Sequence, residues 1–416
     1  MRTRQSLRTS FRLVIFLLAI LLYTAPAVSL DQKEQDLTIG ERFTVHSEVL
    51  DEDRTMFIAL PEGYSDSKVR YPVLYVLDGE FFFYQAQSAV QFLSECTYLR
   101  TLPIPQMLVV GIVNVDRNRD LTPTHAPVQG ELRYPTSGGA ARFLAFLQSE
   151  LIPLIDARYR TQPYRVLSGW SFGGLFTVHT YLENPEAFSA YLAISPSLWW
   201  EQDSPVKKAK EVVTEGNFDF RPLVVTLGAS EGGDMDRSVR RGLVPLLKSD
   251  RLATRVFTPI EIAERGHYYS PYQAFFDGLQ TLFRYWALPQ ERLSGGLESV
   301  QDFYRELSIK VGYEVEIPES AYQALVGALL SNGDDQAALE IARLTVDRYP
   351  QSSRAHKTLG VMLRRTGDDA AARARFEQAL EVEKHLAEPD SERIMDIRLM
   401  LWLLDQTADT TESDGN

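Results

Sequence analysis

The chain has 416 residues, 44% hydrophobic, 24% charged and 11% aromatic, proportions of a globular protein and not of a disordered, collagen-like or coiled-coil one. A formal charge of −13 leaves no basic face for neutralising phosphates, which argues against a nucleic-acid protein. One cysteine, Cys96, excludes an internal disulfide framework and any cysteine-built zinc cluster.

Arg2, Arg4, Arg8 and Arg12 precede an unbroken apolar run from Leu13 to Tyr23, and Ala25-Pro26-Ala27 follows it. A basic start, a short apolar stretch and an A-x-A site form a secretory signal, so residues 1–27 are expected to be a signal peptide and the protein periplasmic or secreted. As a helix the run would rise about 16 Å against a hydrocarbon core of ~30 Å, so no stable membrane span is expected after its removal. An uncleaved anchor is the other reading of this segment. Export with a single thiol suits a bacterial periplasm.

From residue 40 to 288, strand-like runs alternate with helix-length amphipathic segments. Runs rich in β-branched and aromatic residues span Arg54–Leu60, Pro72–Leu77, Met107–Val113, Arg165–Leu167, Tyr191–Ile194, Leu223–Leu227 and Val256–Ile262. Helical patterns lie between them at Ala140–Asp156, Leu175–Leu182, Arg237–Leu247 and Tyr272–Trp286. This order predicts an α/β domain, a mostly parallel sheet with helices on both faces.

Beyond Leu288-Pro289 a linker-like stretch, 289–318, leads into a segment without strand signals. There the sequence repeats with a period of 34: Leu325 recurs as Leu359, Leu329 as Leu363, Ala338 as Ala372, and the turn Gly333-Asp334-Asp335 as Gly367-Asp368-Asp369. Residues 319–405 therefore resemble tetratricopeptide helical repeats, a small all-α domain whose concave face would either hold a protein or peptide partner or brace the α/β domain. Two repeats are fewer than such arrays usually need; flanking helices at Val300–Lys310 and Ser391–Leu404, or the α/β domain, would cap them. The acidic tail 406–416 is expected to be disordered.

The strongest chemical signal is Gly169-Trp170-Ser171-Phe172-Gly173-Gly174. It follows a strand run and opens a helical one, the strand–turn–helix that a nucleophile elbow requires. Ser171 is the candidate nucleophile, and a hydroxyl needs a positioned base. Of six histidines, His267 follows the last strand run of the domain, where the serine–acid–histidine chain order puts the base. His46, His125, His179, His356 and His385 read as packing or surface residues. The acid should follow Leu223–Leu227, where Glu231 is nearest the strand end and Asp234 and Asp236 remain alternatives. The Phe172 amide and, after Leu77-Asp78-Gly79, the Glu80 amide are candidates for the oxyanion hole. Asp-Gly there is equally a hairpin signal between Val73–Leu77 and Phe81–Phe83. Trp170, Trp199 and Trp200 are candidates for walling a substrate pocket, with plain core packing the alternative for the last two.

With these residues placed, the region from about Phe43 to Leu288 resembles the esterases related to enterochelin esterases, in the α/β-hydrolase superfamily. Segments carrying the resemblance are Val73-Leu74-Tyr75-Val76-Leu77-Asp78-Gly79, Arg119-Asp120-Leu121-Thr122-Pro123, Glu150-Leu151-Ile152-Pro153, the Ser171 elbow, Ser195-Pro196-Ser197-Leu198-Trp199-Trp200 and Gly266-His267. The resemblance implies an α/β-hydrolase fold and a serine esterase, sets the triad acid on Glu231, and allows for a C-terminal tetratricopeptide-like extension. Members that cleave ferric siderophores meet an anion, for which Arg100, Arg117 and Arg119 are the local candidates.

The expected activity is hydrolysis of a small-molecule ester, siderophore-like or other, through an acyl-enzyme. An acyltransferase with the same triad, or a non-catalytic repeat-mediated binding protein, are the rival readings. No P-loop, dinucleotide fingerprint or H-E-x-x-H occurs, so no cofactor or metal is expected.

Overall fold

A computed structural model describes residues 38–65, 68–96, 102–125, 134–215, 221–248, 257–386 and 389–413. The expected signal peptide and Arg100 lie outside these residues. From Gly40 onward the chain forms one compact unit.

Eight strands make one sheet: β1 (Glu41–Ser47), β2 (Glu52–Ala59), β3 (Tyr71–Val76), β4 (Leu108–Ile112), β5 (Thr161–Trp170), β6 (Ala190–Ile194), β7 (Leu223–Gly228) and β8 (Phe257–Ile262). Their spatial order is β1-β2-β4-β3-β5-β6-β7-β8. Pairings β1–β2 and β2–β4 are antiparallel, and the rest are parallel. The expected α/β-hydrolase fold is the one observed, and each run expected as a strand overlaps one of β2 to β8. Successive side chains of a strand face opposite ways, so each strand feeds two cores. Leu74 and Val76 enter one with Phe83, Val90 and Phe275, while Val73 and Tyr75 enter the other with Phe143, Leu175 and Phe176.

Asp78-Gly79 does not turn a hairpin. Asp78 adopts a left-handed conformation (φ +54°) and starts the helix Gly79–Glu95, whose Phe83, Ala86, Val90 and Leu93 are buried. Those positions follow the helical spacing that the run Phe81-Phe82-Phe83 obscures when it is read as a strand.

The first core continues beyond the sheet through Leu282, Leu288, Leu293, Val300, Phe303 and Leu307 to Leu325, Leu359 and Phe376. Apolar residues at 293, 297, 300, 304, 307 and 311 recur three or four apart, so the expected linker 289–318 contains the helices Gln290–Ser294 and Gly296–Val311. Four helices follow: Glu319–Ser331, Asp335–Arg348, Ser353–Arg365 and Asp369–Lys384. Their starts and caps keep the 34-residue offset. Asp334 accepts from the Ala337 amide and Asp368 from the Ala371 amide, each at 3.0 Å, after Gly333 at φ +77° and Gly367 at φ +89°. The last helix, Ser391–Ser413, carries on through most of the segment expected to be disordered. Extending an existing helix avoids the cost of nucleating one. Among the described residues, no helix is long and apolar enough to cross a membrane.

The crossing of β5 and the helix Phe172–Glu183 is a tight point of the hydrolase layer. A Cβ on Gly169 would lie 2.4 Å from the carbonyl carbon and oxygen of Gly173, backbone atoms that cannot turn aside. Gly169→Ala should therefore lower unfolding free energy by about 2 kcal/mol or more in urea titration. Gly232→Ala, where a Cβ meets nothing within 4 Å, should change it by less than about 0.5 kcal/mol. Equal stability of the two variants would refute this account of the elbow.

Candidate active site

Three strand ends bring the expected residues together. Ser171 sits between β5 and its helix at φ +58°, ψ −110°, a conformation that strains a residue with a Cβ. The Ser171 amide donates to the Ile194 carbonyl and the Ser197 amide to the Ser171 carbonyl, each at 3.0 Å, which ties the turn to the end of β6. The loops after β7 and β8 are joined in the same way: the Ala229 amide donates to Ile262 O (2.8 Å) and the Ser230 amide to Arg265 O (3.0 Å). This places Glu231 beside His267.

His267 Nε2 lies 3.0 Å from Ser171 Oγ, and His267 Nδ1 lies 2.7 Å from Glu231 Oε2. Oε1, the other carboxylate oxygen, accepts from Ser195 Oγ at 2.6 Å and from the Gly228 amide at 2.8 Å. The Glu231 side chain is 2% exposed and that of His267 25%. Burial alone would raise the Glu231 carboxyl. Hydrogen bonds from His267, Ser195 and Gly228 outweigh it and hold the group below the ordinary glutamate range. The alternative acids face elsewhere, Asp234 pairing with Arg237 and Asp236 with Arg240 and Arg241.

Trp170 flanks His267. Its ring centroid is 4.7 Å from that of His267, and its Nε1 donates to the His267 carbonyl at 3.0 Å. Phe172 begins its helix and Glu80 is the second residue of Gly79–Glu95, positions whose amides have no acceptor within the helix. The Glu80 carboxylate accepts from the Asn114 side chain (2.8 Å) and amide (3.2 Å).

Other expected substrate residues have different surroundings. Trp200 is fully buried, its Nε1 donating to Thr124 Oγ1 at 3.0 Å, and so packs the core and walls no open pocket. Trp199 is half-buried against Phe172. Arg119 donates to both Glu52 oxygens (2.6 and 3.0 Å) and to Asp120 (2.7 Å), an ion-pair network that includes the buried Arg54. Arg117 grips Asp78 in a fork (2.6 and 2.9 Å) and donates to the Trp170 carbonyl at 3.2 Å. Both guanidiniums are thus occupied by the protein's own acids.

Two hydroxyls at the site were not singled out from sequence. Ser195, fully buried at φ +42°, supports Glu231, and Ser197 Oγ lies 3.2 Å from Ser171 Oγ. The sequence signal available was a pair of serines directly after a strand at the ligand-binding edge of the sheet. Among the described residues, no group of three or more His, Cys, Asp or Glu side chains is placed to hold a metal ion.

Residues 47–233 match the family model described as "Putative esterase". The chain is 32% identical over 173 residues to the ferri-bacillibactin esterase BesA of Bacillus subtilis, covering 39% of this chain and 60% of that protein. It is 30% identical over 172 residues to the siderophore triacetylfusarinine C esterase of Aspergillus fumigatus, covering 38% and 56% respectively. The matches thus span less than two thirds of these curated relatives. An IroE-like serine hydrolase from Shewanella oneidensis is similar in structure, with TM-score 0.62, 31% identity and coverage of 74% of this chain and 98% of that one. The chain belongs to the putative esterase family of the α/β-hydrolase superfamily.

Proposed function

We propose that the protein is a serine carboxylic-ester hydrolase working through an acyl-enzyme, with Ser171 as nucleophile, His267 as base and Glu231 as the acid that orients it. The observation that carries this reading is the continuous hydrogen-bond chain from Ser171 Oγ through both His267 nitrogens to Glu231. Ser171 attacks the ester carbonyl as His267 Nε2 takes its proton. The imidazolium then returns that proton to the leaving alcohol, and a water repeats the sequence on the acyl-enzyme. Glu231 accepts from Nδ1–H throughout and stabilises the transient cation without taking its proton. In this reading the amides of Phe172 and Glu80 receive the developing oxyanion.

The relatives named as siderophore esterases favour a siderophore-like ester as substrate. Arg117 and Arg119 are engaged internally, so recognition through them is not part of the proposal. Aromatic surface at the site offers another route. Trp170 contacts both Phe82 and Tyr268, and Phe81, Tyr268 and Tyr272 are each more than 60% exposed. Such a rim suits an ester bearing planar or apolar groups. The proposal also takes residues 1–27 as an export signal, placing the reaction in the periplasm or outside the cell. It takes the 34-residue helix pairs as tetratricopeptide-like, with their exposed side open to a protein or peptide partner.

Ser171→Ala should lower kcat for aryl ester hydrolysis by at least about 10³-fold, and a fluorophosphonate should label the wild type but not the variant. Hydrolysis at the wild-type rate in Ser171→Ala would end the proposal.

Ser195→Ala removes a donor to a buried carboxylate and should lower kcat about tenfold, with KM little changed. Ser195→Gly also relieves the positive φ. It should be as slow if the hydroxyl is what matters, whereas a restored rate would assign the residue a backbone role only.

Glu231 also links stability to pH. Its folded-state pKa is depressed, so its contribution is complete above the unfolded glutamate value of about 4.3 and is lost as pH falls through the lower, folded value. The stability gap between wild type and Glu231→Gln should therefore narrow from pH 7 to pH 3 in urea titrations. A gap that stays constant contradicts an ionised, hydrogen-bonded Glu231.

A further inference from the structure

A cavity of about 880 Å³ lies at the opposite end of the sheet from Ser171, between the strand starts and the C-terminal helices. Gln162, the second residue of β5, lines it, whereas Ser171 follows the last; nine residues of strand separate the two places by about 30 Å. Its volume falls in the range of small-molecule sites. Trp286, Tyr304 and Tyr313 present aromatic surface to it.

Charge in this lining is unbalanced. Among the described residues, Glu62, Glu95, Glu314, Glu316 and Glu319 face two basic residues, Lys68 and Arg70, and the Arg70 guanidinium donates to the Thr161 carbonyl at 3.2 Å. Glu95 is a partly buried acid of this lining. Its Oε1 accepts from two neutral donors, the Glu62 amide (3.0 Å) and Gln106 Nε2 (3.1 Å). Burial pushes its carboxyl above the ordinary range, and among the described residues no ion pair offsets this. Next to it Ser94, 1% exposed and also part of the lining, has a hydroxyl with no hydrogen-bond partner among the described residues. A buried hydroxyl left unsatisfied costs free energy that a bound polar group would recover.

We propose that this cavity is a second ligand site, separate from the Ser171 centre, which takes an organic ammonium ion carried on an apolar or aromatic body. The ammonium supplies the charge that Glu95 lacks and a donor for the Ser94 hydroxyl. The aromatic walls face both the cation and the apolar body. An anion of the same shape meets net negative charge and is refused.

Phenethylammonium is a suitable probe and phenylacetate its anionic counterpart, both titrated calorimetrically into the full-length protein. Phenethylammonium should bind with a Kd below about 1 mM and phenylacetate at least about tenfold more weakly. Glu95→Gln, which keeps an acceptor for the Glu62 amide, should weaken phenethylammonium about tenfold or more and leave ester hydrolysis unchanged. Glu316→Lys, at an exposed position where folding is not at risk, should weaken it at least about threefold by charge inversion. Binding should survive fluorophosphonate labelling of Ser171. If labelling abolishes it, the probe occupies the catalytic centre and the second site is refuted, with the esterase reading untouched. Equal binding of the two probes, no binding at millimolar concentration, or unchanged affinity in both variants would each overturn the proposal as well.

Discussion

A side chain at φ +58° between two glycines is the constraint on which the site depends. The geometry of Ser171 is unfavourable by itself, and the surrounding structure must hold it. Gly169 lets the strand meet the helix backbone, and the amide of Ser171 and its carbonyl are both tied to the turn after β6. That turn, Ser195-Pro196-Ser197, in turn sets one hydroxyl against Glu231 and another against Ser171. One short segment therefore fixes both ends of the hydrogen-bond chain. The arrangement is pre-organised by strand ends, which are stiffer than loops.

Electrostatics at the site follow from how completely Glu231 is satisfied. An isolated buried carboxylate would rise in pKa and lose its charge. Three donors reverse that tendency here, and because two of them occupy Oε1, Oε2 is left to His267. Glu95 shows the opposite outcome within the same molecule: with fewer, neutral donors, burial dominates. The comparison separates a carboxylate with three donors from one that, among the described residues, has two neutral ones.

Ser171, Glu231 and His267 were legible because each lies within five residues of a strand end, and chain order then suggests the roles proposed for them. Glu231 was separable from Asp234 and Asp236 only by its nearness to the strand end; in the structure, arginines next in sequence hold the other two. Residues whose chemistry suits two environments were not legible. An arginine serves an anionic ligand or an internal carboxylate equally well, and Arg119 has the latter. Trp200 fits a pocket wall or a core, and its complete burial decides for the core. Asp78-Gly79 misled because a left-handed residue can end a strand by turning back or by starting a helix, and local sequence does not distinguish them.

Residues 289–318 raise a related point about domains. Read for composition, they look like a spacer between a sheet and a set of helices. Their apolar positions, however, recur with helical spacing and join the core that begins under the helix Ser270–Leu282. Two 34-residue helix pairs are short for an independent array. Here they have no need to stand alone, because Val300, Phe303 and Leu307 carry the hydrophobic interior across to Leu325 and Leu359. Truncating Phe303 would thus open a cavity in a cluster shared by the sheet's outer helices and the 34-residue helix pairs.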